Sequence, residues 1–149
     1  MIETLLVYAY LIDSDSINKS EYEEDLNEIY EKTPNNDLLL ELEWCTNDLQ
    51  KSKEIIFDYY FNNREIDYNV FGCFLMKKLK NLLSQKDMCI EEFCSRIYNI
   101  WSNLPNDIMQ EEPFWAMSYA DEPLSWGDTQ QTYSICGKMF DFYSKSKLE

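Results

Sequence analysis

The chain has 149 residues, 45% of them apolar and 15% aromatic, with a formal net charge of −15 and no histidine. That length points to one domain with a sizeable core, and the aromatic content sets the chain apart from disordered acidic tails. The charge disfavours nucleic-acid and anionic-lipid partners, and the missing histidine removes Ser-His and Cys-His nucleophiles, imidazole metal sites and the commonest general base.

A 3.6-residue apolar period recurs along the chain, and alternating strand patterns are scarce. Ile2 to Asp13 reads as a first helix, apolar on most sides and therefore central. It contains Glu3 and lacks a basic start, so it does not read as a secretory leader. Ser20-Glu21-Tyr22-Glu23 fits a capping box that opens a second helix. Tyr22, Leu26, Ile29, Tyr30 and Thr33 form its apolar stripe, and Pro34 stops it. A third helix is expected over 36–47, burying Leu38, Leu39, Leu42 and Cys45, and a fourth turns Ile55, Ile56, Tyr59 and Tyr60 inward. Asn62-Asn63 can supply the left-handed residue that ends the fourth.

The fifth helix starts after Asp67, with an apolar first half (Val70 to Met76) and a solvated second half carrying Lys77, Lys78 and Lys80. The sixth is the cleanest, repeating Ile90, Phe93, Cys94, Ile97, Tyr98, Trp101 and Leu104 up to Pro105. The last runs from about Asp128 to Ser144, with Ile135, Met139, Phe142 and Tyr143 inward and Gly137 marking a close helix contact. The expected core comprises Leu6, Leu26, Ile29, Leu42, Ile56, Phe71, Phe74, Leu75, Phe93, Ile97, Trp101, Ile135 and Met139. Between the last two helices, Pro113 and Pro123 break the helical pattern, yet Phe114, Trp115, Met117, Tyr119, Leu124 and Trp126 are too apolar for a free loop. This segment either seals one end of a bundle or presents a Trp/Tyr hot spot for a partner. The fold expectation is an all-α, single-domain bundle of six to eight helices over residues 1–149, with segment 113–126 packed across it.

Chemistry is sparse. Five scattered cysteines without a C-x-x-C pair make no zinc site and are expected to be free thiols of a cytoplasmic protein. No Gly-rich loop follows a strand, so phosphate cradles are unsupported. Three lysines on one helix are poor grounds for nucleic-acid binding. The expectation is a protein with no catalytic residues, no metal and no cofactor, and no run long enough to span a membrane.

The specific feature is the distribution of charge. Residues 1–48 hold 13 acids against two bases, a net −11, while the remaining 101 residues net only −4. Glu21, Glu24, Glu28 and Glu31, spaced three, four and three, line one face of the second helix opposite its apolar stripe. Like charges so placed destabilise by a few tenths of a kcal/mol each, with Glu28–Lys32 as the one compensating i,i+4 pair. Asp37, Glu41 and Asp48 form a second line on the third helix. Such a face is either plain solvated surface or a docking surface for a cationic partner. The near absence of interspersed bases favours docking, because solubility alone is served by mixed signs.

A small, acidic, all-helical chain without a catalytic constellation resembles the immunity proteins of bacterial polymorphic and contact-dependent growth inhibition toxins. The segment from Glu112-Pro113-Phe114 through Tyr119-Ala120-Asp121-Glu122-Pro123-Leu124-Ser125-Trp126-Gly127-Asp128, running into a Tyr/Phe-rich last helix, resembles the C-terminal signature of one such helical group. The likeness is clearest over 68–149. It implies an inhibitor that binds one toxin domain, often a nuclease with a basic active site, in a one-to-one complex. The partner-binding residues expected from stripe and segment are Glu21, Glu24, Glu28, Glu31, Asp37, Glu41, Asp48, Trp115, Tyr119 and Trp126. The alternative is a nucleic-acid-mimicking inhibitor of the anti-restriction type. An enzyme built on carboxylates alone is a third reading.

Overall fold

A computed structural model of the chain describes residues 1–63 and 65–146. They form ten α-helices and one 3-10 helix, with no strand among the described residues. The chain divides into two compact units, Met1–Asp67 and Tyr68–Glu149.

The first unit holds α1 (Ile2–Asp13), α2 (Lys19–Lys32), α3 (Asp37–Glu43) and α4 (Leu49–Asn63). Every residue of α1 from Leu5 to Ile12 is buried, as its all-round apolar sequence requires. Its main neighbour is α4. Tyr10 meets Phe57 edge-on at 5.2 Å, and Lys53 reaches Asp13 at 3.2 Å. Asp15 takes the left-handed conformation (φ 56°) in the turn that follows, one of the few non-glycine types that tolerates it. The opening of α2 differs from the expected capping box. Asn18 is the cap, and its side chain accepts from the Glu21 amide at 2.8 Å. α2 buries Tyr22 and Leu26 but leaves Ile29 and Tyr30 half-covered and Thr33 exposed. α3 stops at Glu43, short of the expected Asn47, yet buries Leu38, Leu39 and Leu42 as its spacing predicts. On α4, Ile56 and Tyr60 are buried, Ile55 is half-buried, and Tyr59 points outward, against expectation. α4 persists through Asn63, so Asn62 and Asn63 continue the helix and do not supply the expected left-handed end.

The second unit holds α5 (Tyr68–Leu83), α6 (Ile90–Ser102), α7 (Asn106–Met109), α8 (Phe114–Tyr119), the 3-10 helix Glu122–Trp126, α9 (Thr129–Phe140) and α10 (Phe142–Ser146). α6 packs chiefly on α8, and α9 touches α5, α8 and the 3-10 helix. Helix count exceeds expectation because the 113–126 segment is itself helical, the short α7 follows Pro105 and the last helix divides in two. Pro113 stands at the N-cap of α8 and Pro123 in the first turn of the 3-10 helix, positions where proline's missing N–H has no partner to lose. Phe114, Ala116, Met117 and Pro123 are buried.

Most of the expected core is buried, and the four exceptions, Ile29, Phe74, Trp101 and Ile135, are half-buried. Trp101 earns its place through polarity as well as area, since its indole N–H donates to the Met109 carbonyl oxygen at 2.8 Å. Val70 and Tyr98 sit on apolar-looking positions of α5 and α6 but are exposed. The last helix is two helices, broken at Asp141, and Phe142 beyond the break is exposed.

Gly137 marks no close contact. A Cβ there would meet nothing within 4 Å, whereas one at Gly72 would run into the Tyr143 phenol and come within 2.9 Å of Phe114 Cζ. Phe114 is buried and has little room to yield. Gly72→Ala is therefore expected to destabilise by about 1–3 kcal/mol through overpacking. Gly137→Ala should be neutral or stabilise by up to about 1 kcal/mol through helix propensity. Urea denaturation of the two variants checks this, and equal effects at both positions would contradict the assignment.

Candidate functional site

In the first unit the acids are held outward by what lies beneath them. Tyr22 and Leu26 fix the inner face of α2, and their burial turns Glu24, Glu28 and Glu31 into solvent, with Glu21 half-covered. Asp25 faces the other way. Its carboxylate accepts a 2.5 Å hydrogen bond from the Tyr8 phenol of α1, and the Tyr8 and Tyr22 rings meet edge-on at 5.9 Å. Burial raises the Tyr8 pKa far above the ordinary value, with Asp25, Glu21 and Glu28 adding to it. The compensating ion pair is not the expected one. Lys19 pairs with Glu23 at 3.9 Å, and no Glu28–Lys32 ion pair forms among the described residues.

α3 continues the acidic surface. Asn36 caps it by accepting from the Leu39 amide at 3.2 Å, and Asp37 and Glu41 are exposed. Asp48, also exposed, has a structural task that the stripe argument missed: it accepts from the Lys51 amide at 3.1 Å at the start of α4. Sequence reasoning also missed Trp44. It follows α3 directly and is 90% exposed, more than any other large apolar side chain described. The expected aromatic anchors belong to the second unit. Trp126 is 62% exposed on the 3-10 helix. Trp115 is 41% exposed, with its ring edge-on to Trp101 at 6.0 Å. Tyr119 is half-buried and donates to Glu112 Oε1 at 3.2 Å. Burial raises its pKa, and the Glu112 carboxylate adds to this. The acids and the aromatics thus form two separate sets, each within its own unit.

An open groove of about 490 Å³ runs between Glu91, Cys94, Tyr98 and Asp121, and a smaller one of about 320 Å³ lies beside Glu112, Tyr119 and Lys138. The larger one is also lined by Ser95, Leu124 and Ser125. Among the described residues, no group of three or more Cys, Asp or Glu is placed to hold a metal ion, and no helix is long and apolar enough to cross a membrane. The five cysteines are free thiols. Cys94 and Cys136 are both buried, and a hydrogen bond from the Cys136 thiol raises the pKa of Cys136 and lowers that of Cys94. No protein-family model, curated protein or solved structure matches the chain.

The two phenols beneath the acidic helix differ in a measurable way. Tyr22 is fully buried and its hydroxyl has no hydrogen bond of good geometry. The nearby Ser52 hydroxyl is committed to the Cys45 carbonyl oxygen and offsets only part of the burial, so the Tyr22 pKa is pushed up to about 12. A folded pKa above the unfolded value leaves stability intact below pH of about 10 and removes it as pH rises towards about 12. Tyr22→Phe should therefore leave neutral-pH stability unchanged or raise it by up to about 1 kcal/mol, because it deletes an unsatisfied group. It should also flatten the alkaline loss by about 1.4 kcal/mol per pH unit. Denaturation at pH 7 and above pH 10 reads both effects; a loss beyond about 1 kcal/mol at pH 7 would show that the hydroxyl is well paired.

Proposed function

We propose that the protein is an immunity protein of the bacterial polymorphic-toxin kind. It acts in the cytoplasm by binding a basic toxin domain, a nuclease, in a one-to-one complex. The observation that carries this reading is the outward acidic face of α2 and α3. Glu24, Glu28, Glu31, Asp37 and Glu41 are exposed, and of the two lysines in the first 48 residues Lys19 alone reaches an acid, Glu23, among the described residues. A nuclease that grips a phosphate backbone carries the opposite field around its active site. Complementary fields accelerate encounter, and an inhibitor must arrive before the toxin acts. The aromatic residues Trp115, Tyr119 and Trp126 of the 113–126 segment add apolar contact that slows release.

The test is the simultaneous reversal of Glu21, Glu24, Glu28 and Glu31 to Lys, with folding confirmed by circular dichroism. Association with a basic nuclease toxin domain should slow by at least tenfold at low salt, and its salt dependence should weaken. Unchanged association, with cells still protected, would reduce the stripe to a solvated surface.

A further inference from the structure

We infer that Leu40 and Trp44, with Asp37 and Glu41 beside them, form a docking ridge for a cationic protein surface that offers an apolar pocket to the indole. The inference rests on the binding reading above and names the anchor that this reading lacks on the acidic unit.

The ridge follows from how α3 spends its residues. Leu38, Leu39 and Leu42 are buried, so the opposite side of this short helix faces solvent. That side carries Asp37, Leu40, Glu41 and Trp44, at i, i+3, i+4 and i+7, which puts them in one line. Trp44 keeps right-handed helical geometry as the C-cap (φ −72°, ψ −15°), so its side chain continues that line. Leu40 is 38% exposed and Trp44 90%. Single exposed apolar residues are ordinary, but a nearly bare tryptophan one turn from an exposed leucine is not. Neither side chain makes a ring contact or hydrogen bond among the described residues, so the structure of this chain gives the indole nothing to do.

Charge and shape together choose the occupant. Asp37 and Glu41 have no ion pair among the described residues, and they sit in the section of chain with the net charge of −11. Nucleic acid and anionic lipid are repelled there, and a second copy of the same acidic face is repelled too. A small molecule is disfavoured because a 90% exposed indole offers it no enclosure, and neither groove described above involves it. What remains is a basic protein surface with a pocket for the ring. Tryptophan within a charged rim is the usual composition of a binding hot spot, with the charges setting approach and the buried ring setting release.

The experiment uses the full chain labelled with 5-fluorotryptophan and an inactivated basic nuclease toxin domain. The four fluorine resonances are assigned by single Trp→Phe variants. Addition of one equivalent of toxin domain should shift the Trp44 resonance and remove its solvent-isotope shift. Trp44→Ala should raise the dissociation rate at least tenfold and change the association rate less than twofold, because the side chain is exposed and its loss leaves the fold intact. Binding with the Trp44 resonance unmoved, or with an unchanged dissociation rate in Trp44→Ala, overturns the ridge while leaving the immunity reading in place. A Trp44 shift that depends on the concentration of the chain alone assigns the ridge to self-association and also overturns the proposal. Failure of every resonance to respond to the toxin domain overturns the immunity reading and the ridge with it.

Discussion

α1 has no solvent-facing side between Leu5 and Ile12, and a helix of that kind must be enclosed. The rest of the first unit follows from this requirement. α4 covers one flank, where Tyr10 meets Phe57 and Lys53 reaches Asp13. On α2, Tyr22 lies against Tyr8, and Asp25 takes the Tyr8 hydroxyl. Once these inner residues are fixed, a helix of 3.6 residues per turn has no choice about where Glu24, Glu28 and Glu31 go. The acidic surface is thus a consequence of enclosing α1. A residue that serves burial, such as Leu26, sets the direction of the charges around it.

Helices with regular apolar spacing were legible from the chain alone. The even 3–4 rhythm of α6 gave its bounds at Ile90 and near Pro105, and the buried side of α3 was visible in Leu38, Leu39 and Leu42. The misreadings have physical causes. Prolines 113 and 123 look like breakers, but at a helix start the missing donor costs nothing, so the segment folds as α8 and a 3-10 helix. Asn18 and Ser20 belong to the same capping class, and Asn18, two residues earlier, accepts from the Glu21 amide. Gly72, unremarked in an apolar run, is the crowded glycine, while Gly137 stands in open space, because crowding depends on partners such as Tyr143 and Phe114 that are far away in sequence.

The candidate site was half legible. Spacing alone placed the α2 acids on one face, where Glu24, Glu28 and Glu31 are exposed and Glu21 is half-covered. Trp44 was hidden because α3 is apolar on both sides. A helical line through Asp37, Leu40 and Glu41 would have reached it, but Leu40 resembles a core residue until the burial of Leu38, Leu39 and Leu42 is known. Asp48 shows the opposite error: an acid assigned to the surface line also caps α4. Trp115 and Tyr119 are likewise divided between duties, one ring set against Trp101 and the other phenol on Glu112, whereas Trp44 has no structural duty at all.

The central claim is that the enclosed α1 holds out an acidic surface by which the protein takes a basic protein partner. Amide hydrogen exchange in the presence of a basic nuclease toxin domain tests it most directly. The α1 amides of Leu5–Leu11 should already be the slowest of the first unit in the free protein, and binding should add protection across α2 and α3, residues 19–44. Rapid exchange of α1 in the free protein, or protection gained only beyond residue 67, would contradict the account.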